Sequence, residues 1–224
     1  SKAISDSAPM DSGGSAGQGS RVQNVFDLKS EKGLADMDHR HRFTTAFGYT
    51  LPIGKGRRFG SGMPGFLDKV IGGWGIDGIS VLQSGYPVSV LRSGDPTGMG
   101  TDSLRPNLLC NPNIPRGQQT VRRFFKTECY AAPESLVSGD AWFGTAGRGT
   151  VQGPGVINFD LSARKTTDIT EKLQMEFRVE FFNAFNHPNW LVTGSQRQLE
   201  SSTFGNVGSA LDPRIIQFGL KLKF

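Results

Sequence analysis

The last eleven residues, Arg214 to Phe224, read RIIQFGLKLKF. From Ile216 onward every even position is apolar (Ile216, Phe218, Leu220, Leu222, Phe224), and the odd positions are Gln217, Gly219, Lys221 and Lys223. A period of two is the repeat of a β-strand, whose successive side chains point to opposite faces. The ends of a soluble domain are ordinarily polar and frayed. Here the alternation runs to the final residue, so an apolar medium holds this strand to its end, either a protein core or a lipid bilayer.

The same period recurs upstream. In KLQMEFRVEFFNAFN the apolar Leu173, Met175, Phe177, Val179 and Phe181 alternate with Gln174, Glu176, Arg178 and Glu180. In GVINFDLSARK, Ile157, Phe159, Leu161 and Ala163 alternate with Asn158, Asp160, Ser162 and Arg164. In HRFTTAFGYTLP, Phe43, Thr45, Phe47, Tyr49 and Leu51 share one face. A helix would spread these apolar residues around its whole circumference, an unstable arrangement in water. A further segment, GGWGIDGISVLQSGYPVSVLRS, reads as one long bent strand: Trp74, Ile76, Leu82, Tyr86, Val88 and Val90 share a parity, Ile79 and Val81 break it, and Gly78 and Gly85 suit bulges or bends.

Composition fits a loop-rich β-protein. The 224 residues include 30 Gly and 12 Pro and are only 36% hydrophobic. No run approaches the roughly 18 consecutive apolar residues of a transmembrane helix, so any membrane is crossed by strands. The formal charge of +5 is spread along the chain among apolar residues, the pattern of solvated strand faces, and excludes nucleic acid as the expected partner. The opening SKAISDSAPMDSGGSAGQGS has no apolar core or cleavage site of a signal peptide and reads as the interior of a loop, so the chain is expected to start partway through a longer protein.

Connection lengths point further. Only about TTDITE (Thr166 to Glu171) lies between the third and fourth strands, whereas Ser93 to Pro154 separates the second from the third and a second long segment separates the fourth from the fifth. Compact soluble domains seldom carry such loops. Short turns on one side and long loops on the other are the habit of outer-membrane barrels, with turns periplasmic and loops extracellular. With Phe224 at the periplasmic end, strand alternation puts both long loops, both cysteines and the N-terminal segment outside. The Pro52–Gly73 connection is then periplasmic, and its GFLDKVI suits a short amphipathic helix at the membrane edge. The expected fold is therefore all-β: about five antiparallel transmembrane strands in residues 41–224, behind an extracellular, partly disordered loop in residues 1–40. Five strands cannot close a membrane barrel, because open edges are not tolerated in lipid, so the rest of the wall is expected from a larger chain.

Cys110 and Cys129 lie in a Pro-, Asn- and Gly-rich stretch with no CxxC and no histidine set for zinc. They read as a disulfide across a long loop in an oxidising compartment, the alternative being two unpaired thiols. His39 and His41, with Asp36 and Asp38, share an extended segment that metal geometry does not forbid. Their place at a loop-to-strand boundary favours solvent or headgroup contacts instead. His187, before a proline, reads as structural. No Gly-x-Ser-x-Gly occurs, and GDPTGMG lacks the Lys and Ser/Thr of a phosphate-binding loop. Glu176, Glu180, Asp160, Arg164 and Arg178 read as a polar wall facing water. No catalytic residue, cofactor or metal is expected.

The ending resembles the carboxy-terminal assembly signal of outer-membrane proteins, carried here by Gln217, Gly219, Leu222 and Phe224. Most of residues 24–224 resembles the carboxy-terminal part of TonB-dependent receptors of the Oar-like kind. The matching segments are RHRF, GGWGIDG, QSGYP, VQGPG, EFFNAFNHPNW and DPRIIQFGLKLKF, in the expected order. The resemblance implies a Gram-negative outer-membrane location and a parent of roughly 22 strands with a plug in its lumen. It also implies assembly by the barrel-assembly machinery, and active uptake of a nutrient such as a siderophore or oligosaccharide through the TonB complex. This chain carries no TonB box and no plug. Two alternatives are a secreted β-sandwich that binds carbohydrate or protein and a barrel that displays its loops for adhesion. The sandwich usually has strands every 8–12 residues and no need of a terminal aromatic.

Overall fold

The computed structural model describes residues 2–5, 22–24, 26–94, 104–133, 143–192 and 194–224. In chain order its strands are β1 (Ile4–Ser5), β2 (Gly33–Leu34), β3 (Arg42–Thr50), β4 (Trp74–Gln83), β5 (Pro87–Val88), β6 (Asn107–Leu108), β7 (Tyr130–Ala131), β8 (Val151–Gln152), β9 (Val156–Asp168), β10 (Gln174–Phe182), β11 (Trp190–Leu191), β12 (Ser209–Ala210) and β13 (Ile215–Lys223), with a helix α1 (Gly65–Ile71) between β3 and β4. They form two compact units. One, the loop unit, is made of Ser1–His41, Gln83–Gly155 and Trp190–Leu211; the other, the strand unit, of Arg42–Leu82, Val156–Asn189 and Asp212–Phe224.

The strand unit is a five-stranded antiparallel meander in the order β3-β4-β9-β10-β13. Its register aligns the period-two patterns. Met175, Phe177, Val179 and Phe181 stand opposite Leu222, Leu220, Phe218 and Ile216, and Val179 and Phe181 also oppose Ala163 and Leu161. These residues form one apolar face, with Phe177 and Phe218 stacked at 6.3 Å. On the other face Glu176, Arg178 and Glu180 meet Lys221, Gly219 and Gln217. The apolar face is not covered: Phe218 is 69% and Leu220 65% exposed. Ile79 and Val81, which break the alternation of β4, fall on the polar face with Asp77.

Gly78 faces the apolar side, where a Cβ would lie 2.6 Å from the Phe47 ring and 2.9 Å from Leu161. Its bare backbone lets that ring lie over β4. It marks close packing within a strand, not the bulge expected there.

The NAFNHPN stretch explains how β10 ends. Asn183 and Asn186 both adopt positive φ (47° and 52°), a region asparagine tolerates better than most residues. Asn183 Nδ2 donates to the carbonyls of His187 and Asp212, and its Oδ1 accepts from the His187 amide. Asn186 Oδ1 accepts from the Arg214 amide. Asn189 holds the start of β9, accepting from the Ile157 amide and donating to its carbonyl. Three side chains supply the backbone partners that the ladder no longer provides.

The long bent strand expected from Trp74 to Val90 is interrupted. β4 stops at Gln83, and Pro87–Val88 pairs instead with Val151–Gln152. The break falls at Gly85, where a Cβ would lie 1.8 Å from the Gly153 carbonyl oxygen, so this close approach requires glycine.

The Gly- and Pro-rich connections, expected as open loops, build a core of their own. It centres on Val90, Phe125, Cys129, Tyr130, Val151 and Val192. Phe125, Tyr130 and Phe204 make a cluster of edge-to-face rings 5.2–6.0 Å apart. The N-terminal segment takes part as well, with Gln23 and Glu31 buried and β1 paired to β2. Residues 6–21 of the segment expected to be partly disordered lie outside the described residues.

Candidate functional site

The polar face of the sheet carries a chain of charges. Arg178 Nη2 donates to Glu176 Oε1 at 2.8 Å and its Nη1 to Glu180 Oε1 at 3.4 Å. Lys223 Nζ donates to Glu176 Oε2 at 3.0 Å, tying β13 to β10. Arg164 Nε lies 3.0 Å from Asp77 Oδ2, an ion pair without hydrogen-bond alignment. Asp160 Oδ1 accepts from the Asn183 amide and the Asn158 side chain. Glu176, Glu180, Arg178 and Lys223 form one linked chain, Arg164 pairs with Asp77, and Asp160 is held by asparagines, an arrangement that suits a wet wall.

The residues of the carboxy-terminal pattern all lie on or just beyond the edge strand. Gln217 and Gly219 are on the polar face and Leu222 on the apolar one, while Phe224 follows the strand and is 97% exposed. A Cβ on Gly219 would meet only Arg178 Cβ, at 4.0 Å, so packing within the sheet does not require glycine there.

The loop unit is held by a buried clamp. Arg105 and Glu31, both about 1% exposed at the side chain, form a bidentate pair at 2.8 and 2.9 Å. Arg105 Nε donates to the Ala146 carbonyl. Gln23 completes the cluster, accepting from the Arg105 amide at 2.7 Å and donating to the Gly144 carbonyl. Cys110 and Cys129 are bonded to each other, with Cα atoms 4.9 Å apart. Arg148 is buried, and its guanidinium nitrogens have no hydrogen-bond partner among the described residues. Burial pushes the nearby Asp36 carboxyl upward, and the Arg148 and Arg197 charges pull it back. Sequence reasoning assigned no role to Glu31, Arg105 or Arg148, because nothing in residue type or spacing joins positions 74 apart.

The histidines are not drawn into one site. His39 Nδ1 bonds the Ser84 carbonyl at 3.1 Å, its Nε2 is 3.0 Å from Gln83 Nε2, and its ring meets Tyr86 edge-on. His41 is exposed, and Asp38 Oδ1 accepts from the Ala3 amide. His187 is exposed and acts through its backbone. Among the described residues no three His, Cys, Asp or Glu side chains are gathered to hold a metal.

The antiparallel fold and the uncovered apolar face agree with comparison to known proteins. Residues 1–217 match the family model described as outer membrane beta barrel domain. No curated protein and no solved structure matches the chain. Among the described residues no helix is long and apolar enough to cross a membrane, and the strands do so instead. The apolar sheet face meets lipid: the chain is an outer-membrane protein and belongs to the outer membrane beta barrel domain family.

Proposed function

We propose that the chain is the carboxy-terminal part of the barrel of a TonB-dependent receptor, serving active uptake of a nutrient. On this reading the rest of the parent chain supplies the remaining strands and the plug, and the TonB complex supplies energy through that parent. The charged face lines the lumen. Residues 1–40 belong to the extracellular surface. Gln217, Gly219, Leu222 and Phe224 are read by the barrel-assembly machinery. The exposed edge of β13 supports this, since its unpaired amides and carbonyls are open to a new strand.

The observation that carries the receptor reading is the loop unit. Its extracellular connections fold around their own core, clamped by Arg105–Glu31 and Cys110–Cys129, and so present a preorganised surface for capturing a solute. The test is uptake by cells carrying or lacking the parent gene, each with and without TonB, across a panel of scarce iron chelates and oligosaccharides. Uptake lost in both deletions supports the receptor. The same ordered surface also favours a display barrel, and unchanged uptake in both deletions would establish that reading instead. The outer-membrane assignment sets the secreted sandwich aside.

A further inference from the structure

We infer that α1 is an interfacial anchor, seated on the lipid-facing side of the sheet at its periplasmic end with its apolar stripe in the inner leaflet of the outer membrane. Phe66, Leu67, Val70 and Ile71 fall on one side of the helix, and Asp68 and Lys69 on the other. On a soluble protein such a helix turns its apolar side inward. Here Asp68 faces the protein, its Oδ1 accepting from the Lys55 amide, and Lys69 is exposed. The apolar side faces away, with Phe66 78% and Val70 54% exposed. Seven residues are too few to hold a helix in water unaided.

Two side chains from the lipid face fix the position. Trp74 shares the face of Gly78 and donates from Nε1 to the Val70 carbonyl at 3.2 Å. Lys165 stands opposite Phe177 in the register, on the apolar face, yet it is only 8% exposed. Its ammonium reaches the carbonyl of Gly72, the C-cap of α1, where a helix end favours a cation. The helix thus covers a lysine that would otherwise meet lipid. Its outward stripe continues the lipid face already made by Tyr49, Trp74 and the strands, so lipid is the occupant. Trp and Tyr at this level match the aromatic girdle of membrane barrels.

The intact protein, purified from outer membranes and reconstituted in phosphatidylethanolamine–phosphatidylglycerol vesicles, tests this. Single cysteines at Phe66, Val70, Lys69 and Phe218 would carry an environment-sensitive fluorophore, and part of the lipid would be brominated either near the head or near the middle of its acyl chains. An amphipathic helix of this kind sits about 5–10 Å into the headgroup boundary. Labels at Phe66 and Val70 are therefore expected to be quenched more by head-proximal bromine than by mid-chain bromine, and at least about twofold more than the label at Lys69. Equal, weak quenching at positions 66, 69 and 70, with strong quenching at Phe218, would overturn the anchor and leave the barrel standing. Absence of quenching at Phe218 as well would overturn both.

Discussion

Arg105 and Glu31 join two segments far apart in the sequence, and both charges lie beyond the reach of water. Their worth is asymmetric. Arg105→Met leaves Glu31 buried and unpaired, a loss of about 3–5 kcal/mol. In the intact protein this is expected to lower the temperature at which protease first cuts the extracellular loops, and the double variant Glu31→Leu/Arg105→Met is expected to recover much of it. Tyr130 makes a pH-dependent contribution. Burial holds its phenol at about 12 against an ordinary 10.0, despite its hydrogen bond to Thr150. The folded state keeps this proton where the unfolded chain releases it. The contribution is therefore fully present below pH 10 and is lost, by roughly 2–3 kcal/mol, as pH rises to about 12. Tyr130→Phe is expected to weaken the loop unit modestly at neutral pH and to flatten its alkaline unfolding curve. The Cys110–Cys129 bond joins residues 19 apart within the long connection and contributes roughly 3 kcal/mol. Peptide mapping without reductant is expected to recover the two cysteines in one linked pair.

At the scale of elements, the two faces of the β9–β10 pair predict opposite tolerances. Phe177→Arg places a charge in the lipid face and is expected to destabilise by about 2–4 kcal/mol near mid-membrane, read from urea unfolding of the reconstituted protein. Ser162→Arg on the wet face is expected to change little. Phe224→Ala is expected to reduce the outer-membrane level of the parent severalfold in cell fractions. Levels like the wild type would count against a terminal recognition signal. The long strands were legible because each repeats one physical rule over many residues: β10 alternates from Gln174 to Phe181, and a single slip would move its whole apolar set to the other face. Lys165 was not legible, since it continues the apolar parity of β9 and its tolerance depends on a helix far away in the sequence. The loop unit was legible still less. Its core residues have no period, its strands are two residues long, and its clamp pairs residues from different segments.

At the scale of the molecule, β3 and β13 are the first and last strands of a five-strand meander and run in the same direction. Pairing them would make a parallel seam, which antiparallel barrels do not use. The wall closes only with further strands between them. On the receptor reading proposed above, this chain expressed by itself is expected to give no heat-modifiable species on gels, whereas the whole receptor is expected to give one.

The loop unit draws on three stretches of chain that leave the sheet at the same end of its strands, and this bears on the order of events during biogenesis. Cys110 and Cys129 belong to a single stretch, so that bond can close while the polypeptide is still in transit through the periplasm. The aromatic core cannot, because Phe125 and Tyr130 pack against Phe204 from the last stretch to be exported. Such distant pairings are slow to form. The loop unit therefore matures last, after its third stretch has been delivered, and a chain halted midway would leave its apolar core residues uncovered.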